Sequence, residues 1–418
     1  MAKITKVIGR QVFDSRGNPT VEAEVILNDK TKASAIVPSG ASTGAFEAFE
    51  LRDENKDYFL GKSVLKAVKN INTIINKSLK NTEAGNQKKL DQTLLNLDGT
   101  INKEKLGANA LLAVSLAASK ASARSKNKEL YQSLGKKFLL PKPLMNIING
   151  GAHADNNLKI QEFMIRPDSA KNFIDAMEKC FLVIQSLKKI LQSKNLSINV
   201  GDEGGFAPSI NSNEKALEMI VDAIESSKLK PGKDINICLD VAANELMNKE
   251  GKYSLNSSNF ISVDESISYY KKLVSQYPIK SIEDPFAEND WQAWSKLTKA
   301  IGKSVQIVGD DLFVTNVTRL KRGIKEKSAN SILIKVNQIG TLTETLNVIE
   351  LAKKNNFGTI ISHRSGDTED TFIADLAVAT QSTQIKTGSL ARSERVAKYN
   401  RLLRIEEQLG KSAKIARI

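Results

Sequence analysis

Six short apolar runs in the second half of the chain each end in an ionisable residue. The first three ends are carboxylates, at Asp240, Glu283 and Asp310. Carboxylates that converge repel one another and stay ionised together only when a cation holds them, and oxygen ligands suit a hard ion such as Mg²⁺. These three acids are therefore a candidate magnesium site. The alternative is that each acid only caps a helix or marks a turn.

Lysines end two of the later runs, at Lys335 and Lys386. A lysine beside a divalent cation has its ammonium form disfavoured, which makes it a candidate base. Lys335 fits that role, whereas Lys386 is better suited to binding an anion. The alternative for both is a salt-bridged lysine that transfers no proton.

The two histidines of the chain, His153 and His363, both lie in segments rich in small and polar residues. Taken singly, each is as readily structural as catalytic. Arg364 and Ser365 follow His363 and precede a helical pattern that we expect to begin near Asp367. Donors at such a position commonly hold a phosphate or a carboxylate.

Two glycine-rich segments have the composition of ligand-binding loops. Residues 200–208 place Asp202 and Glu203 among three glycines, so that backbone and carboxylate can approach a ligand closely. Residues 38–44 have the small-residue composition of a mobile lid. In both segments the glycines could instead serve only the geometry of a surface loop.

The pattern of elements indicates two domains. Residues 1–60 alternate apolar and polar positions around a turn at 15–18, and residues 63–133 change to a helical period. Beyond Pro143, strand-like runs alternate with amphipathic stretches at 291–301 and 343–354, which predicts βα units closed into a barrel. We therefore expect an α+β domain over residues 1–135 and a barrel over 143–418. A doubly wound open sheet is the alternative, but no Gly-x-Gly-x-x-Gly turn follows a strand.

The barrel prediction explains why each apolar run ends in a charged or ionisable residue. Active sites of such barrels are built at the carboxyl ends of the strands. Asp240, Glu283, Asp310, Lys335, His363 and Lys386 are all such ends, so we expect them to meet at one mouth.

Composition limits the class of protein. The composition, 41% apolar and 26% charged, is typical of a globular protein. The length of 418 residues predicts two domains. The longest apolar stretch, residues 108–118, is too short to cross a bilayer, and no secretory signal precedes the first strand, so we expect a cytoplasmic protein. Cys180 and Cys238 are too few for a disulfide framework and are expected to be buried thiols. The formal net charge of +14 is spread along the chain, which favours a solvated basic surface over specific nucleic-acid binding.

Ten segments resemble the enolase family in the family's order. Together they span nearly the whole chain: residues 13–22, 38–44, 146–153, 161–165, 201–208, 281–286, 309–312, 333–342, 362–366 and 384–388. The resemblance implies a small N-terminal α+β domain and an α/β C-terminal domain, a modified (β/α)8 barrel whose opening strands are not all parallel. The family is a glycolytic lyase that dehydrates 2-phosphoglycerate reversibly to phosphoenolpyruvate.

The resemblance also implies roles for individual residues. Asp240, Glu283 and Asp310 match the ligands of one Mg²⁺, and a second Mg²⁺ arrives with the substrate and is held partly by Ser42. Lys335 matches the base that removes the C2 proton, and Glu203 the acid that protonates the leaving C3 hydroxyl, with Glu162 beside it. The groups expected to position the substrate are His153, Gln161, His363, Arg364, Ser365 and Lys386.

Two competing interpretations remain open from the sequence. A racemase or another lyase of the same superfamily shares the metal carboxylates but acts on substrates without phosphate, so Arg364 and Ser365 argue against it. A binding protein with this fold, or an active enzyme with a further role on nucleic acid, membranes or host proteins, fits the basic charge, although no motif supports it. By resemblance we expect a homodimer or an octamer of four dimers, and a fraction at the cell surface or secreted is possible for the family.

Overall fold

The computed structural model describes residues 2–40, 44–256 and 259–418. Its N-terminal part is an antiparallel sheet in the order β1 (Ile4–Phe13), β2 (Pro19–Leu27) and β3 (Lys32–Ile36). Val21, Ala23, Val25 and Leu27 of β2 are buried and alternate with half-buried residues, as one covered face requires. The alternating pattern on either side of the turn at 15–18 is thus confirmed as two strands.

Helices cover that sheet. They are α1 (Leu65–Asn70), which continues through a π-helical turn (Ile71–Ile75) into α2 (Asn76–Leu79), and α3 (Gln87–Asp98), α4 (Ala108–Ser125) and α5 (Leu130–Leu134). The helical period of residues 63–133 predicts that Val64, Ala67, Val68, Ile71 and Ile75 share one face; all of them are buried except Val68, which is half-buried. α4 is buried on almost all sides, and its alanines let it lie close to β2 and β3.

Eight of the described strands close into a barrel in the order β10-β11-β4-β5-β6-β7-β8-β9. The strands are β4 (Lys142–Asn149), β5 (Glu162–Arg166), β6 (Asn236–Asp240), β7 (Ile279–Glu283), β8 (Gln306–Gly309), β9 (Ser331–Ile334), β10 (Gly358–Ser362) and β11 (Gln384–Lys386). β5 runs antiparallel to both β4 and β6, and the other neighbours are parallel. The modified barrel is confirmed, and the open doubly wound sheet is wrong.

Helices surround the barrel. They are α6 (Phe173–Ser193), α7 (Asn213–Ser226), α8 (Val263–Gln276), α9 (Trp291–Ile301), α10 (Val317–Glu326), α11 (Val336–Ile339), α12 (Leu342–Lys354), α13 (Phe372–Ala379) and α14 (Ser393–Leu409). α9 matches the amphipathic stretch predicted at 291–301, and its Trp291, Trp294 and Leu297 are buried. No helix among the described residues is long and apolar enough to cross a membrane.

The barrel interior is apolar below its polar mouth. One buried cluster gathers side chains from six strands: Leu144, Met164, Cys238, Val308, Leu333 and Ile360. Cys238 lies in this layer and Cys180 on α6, and both thiols are buried, as predicted. Burial raises the pKa of Cys238 to about 12, so its thiol is protonated and inert at neutral pH.

The helix expected near Asp367 begins only at Phe372. Asp367 is instead a buried acceptor that fixes an extended connection. Its carboxylate accepts the backbone N–H of Arg364 at 3.1 Å and the Lys398 ammonium at 2.6 Å. Arg364 and Ser365 therefore do not lie at a helix N-terminus, and that part of the prediction is wrong.

Candidate active site

The barrel brings the predicted strand ends to one mouth. Asp240 and Glu283 are register partners on β6 and β7, and Asp310 and Lys335 directly follow β8 and β9. Glu162 lies beside them, but at the start of its strand rather than at the end. Because β5 is antiparallel, its first residue lies at the mouth, opposite Asp240. The rule of carboxyl strand ends could not have found Glu162.

Lys386 is bonded to three carboxylates at once. Its Nζ lies 2.9 Å from Asp240 Oδ2, 2.9 Å from Glu283 Oε1 and 3.1 Å from Glu162 Oε1. Burial would lower the pKa of Lys386, but the charges of Asp240, Glu162 and Glu283 outweigh it and raise the pKa well above its usual value. The ammonium therefore neutralises part of a strongly negative, buried cluster.

The acids of the mouth retain capacity for a cation. Burial, and then the charge of Asp240, raise the pKa of Glu283 well above its ordinary range. Oε2 of Glu283 and Oε2 of Glu162 are buried with no hydrogen-bond partner among the described residues. An orphaned carboxylate oxygen in a dry site is costly, and a hard cation is the ligand that relieves it. The donor set therefore fits a divalent ion such as Mg²⁺.

Asp310 contacts the predicted base. Lys335 Nζ forms an ion pair with Asp310 Oδ2, and Gln338 Nε2 donates to Asp310 Oδ1 at 2.9 Å. Burial lowers the pKa of Lys335, but the charge of Asp310 outweighs it, and the net shift is upward. With the protein groups alone, the ammonium form is thus favoured, contrary to the expectation for a lysine beside a cation.

Asp284 and Asp311 belong to the mouth although sequence reasoning missed them. Asp284 has φ +41°, and its carboxylate accepts the backbone N–H groups of Asp310 and Asp311, each at 2.9 Å. Oxygens of Asp284, Asp310 and Asp311 lie within 4.8 Å of one another, whereas in the predicted triad the Lys386 ammonium lies between Asp240 and Glu283. The sequence signals for these residues are that Asp284 directly follows Glu283 and Asp311 directly follows Asp310.

A second group faces the carboxylates from loops. His153 Nδ1 lies 3.7 Å from Glu162 Oε1 and 3.8 Å from Glu203 Oε1, and His363 Nε2 lies 3.4 Å from Glu203 Oε1. Burial, and then the charge of Glu203, raise the pKa of Glu162 well above its usual range. Burial alone would raise the pKa of Glu203, but the facing His363 and His153 side chains outweigh it and the net shift is downward. Of the two acids, Glu162 therefore binds a proton first.

Arg364 is held by residues from both parts of the chain. Its Nη1 and Nη2 donate to the two oxygens of Glu47 at 2.9 and 3.1 Å, and Nη1 also donates to Asn337 Oδ1 at 2.9 Å. Asn337 Nδ2 in turn donates to the carbonyl oxygen of Pro38 at 3.1 Å. These contacts fix the plane of the guanidinium at the mouth.

One cavity collects most of the predicted residues. Gln161 reaches it and donates to Asp240 Oδ2 at 3.4 Å. Glu283 contacts Lys386 but does not line the cavity, and Ser42 lies outside the described residues. The predicted residues that line it are His153, Gln161, Glu162, Glu203, Asp240, Asp310, Lys335, His363, Arg364, Ser365 and Lys386. Asp284 and Asp311 line it as well.

The fold and this cavity define a barrel enzyme whose mouth combines buried carboxylates, two lysines and an arginine. Comparison with known families agrees with this class. Residues 4–134 match the family described as "Enolase, N-terminal domain", and residues 137–417 match "Enolase, C-terminal TIM barrel domain". The chain is also 64% identical over 420 residues to the protein named "Enolase" from Pelagibacter ubique (strain HTCC1062), with 100% of each chain covered.

The chain belongs to the enolase family. It is accordingly a lyase of glycolysis, a phosphopyruvate hydratase.

Proposed function

We propose that this chain interconverts 2-phosphoglycerate and phosphoenolpyruvate, with Lys335 as base and Glu203 as acid. The main support for this proposal is that one cavity is lined by Lys335, the Glu162–Glu203 pair and Arg364. A base, an acid and an anion-binding group around a single cavity suit removal of a proton from one carbon and of a hydroxyl from the next.

The first step is proton removal from C2 of the substrate. Neutral Lys335 takes the proton, and the C–H electron pair moves into the carboxylate, which becomes doubly negative. Backbone N–H of Lys335 donates to Thr315 Oγ1 at 2.9 Å, and Thr315 donates to Gln338 Oε1 at 2.8 Å, so the base begins from a fixed position. Fixed placement of the reacting group is a large part of catalysis.

The second step is loss of the C3 hydroxyl. The electron pair returns to form the C2–C3 double bond, and the hydroxyl leaves as water with a proton from Glu203. The pKa of Glu203 is lowered and that of Glu162 is raised, so Glu162 binds a proton more strongly than Glu203 does. We therefore infer that Glu162 stores the proton in the resting site and shares it with Glu203 across the short gap between their oxygens, which lie within 4.8 Å.

Divalent metal completes the site. We propose Asp240, Glu283 and Asp310 as the residues that hold one Mg²⁺, and Ser42 as a contributor to a second ion that arrives with the substrate. When bound, Mg²⁺ supplies positive charge that offsets Asp310 and stabilises the second negative charge of the substrate carboxylate. The orphaned Oε2 of Glu283 supports the first assignment.

The remaining polar groups hold the substrate. We assign the phosphate to Arg364 and Ser365, because a guanidinium matches phosphate geometry and both residues line the cavity. His153, Gln161, His363 and Lys386 surround the rest of the cavity and position the substrate. A superfamily member that acts on a substrate without phosphate has no need of this arginine.

Replacing Glu47 with glutamine is expected to raise the KM for 2-phosphoglycerate about tenfold, the size of one lost hydrogen bond to a charged group. The amide keeps one acceptor but turns an NH₂ group towards the Arg364 guanidinium, which loses its fixed plane. Steady-state kinetics in saturating Mg²⁺ measures the change. Glu50→Gln is the matched control, because Glu50 pairs with Arg52 and leaves Arg364 untouched. An unchanged KM in Glu47→Gln contradicts the assignment of the phosphate to Arg364.

The reaction itself is tested by the ultraviolet absorbance of phosphoenolpyruvate after addition of 2-phosphoglycerate. We expect turnover in Mg²⁺ and its loss in a chelator, with recovery when Mg²⁺ is restored. If well-folded protein saturated with Mg²⁺ produces no phosphoenolpyruvate, the proposed reaction is wrong.

We also propose domains over residues 1–135 and 143–418, a cytoplasmic location, and a homodimer or an octamer of four dimers. Light scattering decides the assembly, since each chain contributes 45.8 kDa. A measured mass equal to that of a single chain contradicts the proposed assembly. A secondary role of the basic surface lacks a supporting motif and is not proposed.

A further inference from the structure

Arg395 is the largest charged side chain among the fully buried residues of the described chain. It lies in the first turn of α14, with 0% exposure, and no step above uses it. Its guanidinium donates to four acceptors: His363 Nδ1 at 2.6 Å, the Arg364 carbonyl at 2.6 Å, the Ser365 carbonyl at 2.6 Å and the Asp202 carbonyl at 3.1 Å. Burying a guanidinium is costly, so this position requires a reason.

The contact with His363 determines which ring nitrogen carries the proton. A guanidinium has donors only, so the Nδ1 that it contacts must be an acceptor. The proton of the neutral ring is then on Nε2, which faces Glu203 Oε1 at 3.4 Å. A second ring proton would place N–H against N–H at 2.6 Å, so the imidazolium is excluded in this geometry.

The electrostatic surroundings agree with the geometry. The charged groups that face His363 are Glu203, Arg395 and Asp367. Burial lowers the pKa of His363, Glu203 opposes that shift and Arg395 reinforces it, with a result of about 4. The His363 ring is therefore neutral at neutral pH, with its proton on Nε2, rather than a group that exchanges protons.

The same guanidinium ties together the two loops that carry the catalytic groups. The Asp202 carbonyl directly precedes Glu203, and the Arg364 and Ser365 carbonyls belong to the residues assigned to the phosphate. The distance between the acid and the phosphate site is thus set partly by one side chain that touches neither.

We propose that Arg395 is a positioning residue that locks His363 in its neutral Nε2–H tautomer, with Nε2 3.4 Å from Glu203 Oε1, while holding the Glu203 loop and the 363–365 loop together. The catalytic consequence rests on the proposed role of Glu203. The tautomer does not depend on that role and can be tested without turnover.

Nitrogen NMR of ¹⁵N-histidine-labelled protein gives the test, because the chain has only two histidines. A His153→Gln sample assigns the signals. We expect the His363 ring to show a protonated Nε2 and an unprotonated Nδ1, with no titration between about pH 5 and 8. A protonated Nδ1, or an imidazolium at neutral pH, overturns the proposal whether or not any variant folds.

Arg395→Lys keeps the charge but loses the planar set of donors. We expect mixed Nδ1–H and Nε2–H tautomers in the His363 NMR signals, and a fall in kcat of about 100-fold with a smaller change in KM. Arg166→Lys is the matched control, since Arg166 is a buried arginine at the other end of the barrel, bonded to Asp168 and Gln384. Unchanged His363 signals in folded Arg395→Lys contradict the lock.

The two proposals fail separately. Wild-type protein with the expected tautomer but no phosphoenolpyruvate formation leaves the lock in place and removes the proposed reaction. Normal turnover with a protonated Nδ1 on His363 supports the proposed reaction and removes the proposed role of Arg395.

Discussion

Lys335→Ala is expected to lower kcat about 10²- to 10⁴-fold, the range that a positioned general base contributes. Lys335, the proposed base, lines the cavity, and the other lysine there, Lys386, contacts three carboxylates and has a pKa raised well above its usual value. Among the described residues, the other lysine that lines the cavity is thus not placed to take over the C2 proton. Phosphoenolpyruvate absorbance in saturating Mg²⁺ measures the loss, and a thermal unfolding curve shows that the variant is folded.

The matched control for Lys335 is Lys354→Ala, which removes an exposed lysine that pairs with Glu350 on α12. It is expected to keep wild-type turnover, because exposed helix pairs contribute only about 0.3–0.5 kcal/mol to stability. A Lys335→Ala protein that retains more than about a tenth of wild-type kcat contradicts the assignment of the base.

Lys386→Met is expected to lower the free energy of unfolding by about 3–5 kcal/mol in a chelator, and to regain most of this loss in Mg²⁺. Removing the ammonium leaves the buried charges of Asp240, Glu162 and Glu283 without compensation. The same step frees Asp240 and Glu283 for the cation, so Mg²⁺ is expected to bind the variant more tightly than wild type. Activity falls as well, because Lys386 is assigned to the substrate.

Denaturant unfolding with and without Mg²⁺, together with a calorimetric Mg²⁺ titration, measures both effects. Lys142→Met is the matched control. Lys142 is also a buried barrel lysine, but it lies at the start of β4 and donates to the backbone carbonyls of Pro167 and Asp168. Its loss of stability is expected to be the same with and without Mg²⁺. Equal Mg²⁺ affinity in wild type and Lys386→Met contradicts the view that this ammonium and the cation share their carboxylates.

The sequence predicted the parts of the site that the regular elements dictate. Asp240, Glu283, Asp310, Lys335 and Lys386 each close a run of apolar residues, and a closed barrel necessarily brings parallel strand ends together. Local periodicity therefore sufficed for these positions. Glu162 follows a different rule, because it begins an antiparallel strand, and only the family resemblance identified it.

Other residues could not be predicted, because their partners are distant in sequence. Glu47 contacts Arg364 across 317 positions, and Arg395 contacts His363, which follows β10, from α14. The helix expected at Asp367 failed because a buried carboxylate with a lysine partner overrode the local helical pattern. The pKa of Lys335 likewise depends on Asp310, a neighbour that sequence spacing does not reveal.

Exchange of the C2 proton of 2-phosphoglycerate with deuterated water tests the division of roles most directly. The account predicts that Glu203→Gln exchanges this proton while forming almost no phosphoenolpyruvate, because Lys335 still works and the hydroxyl cannot leave. Lys335→Ala is predicted to show neither exchange nor turnover. Exchange at the wild-type rate in folded Lys335→Ala, or loss of exchange in Glu203→Gln alone, would contradict the assignment of Lys335 as base and Glu203 as acid.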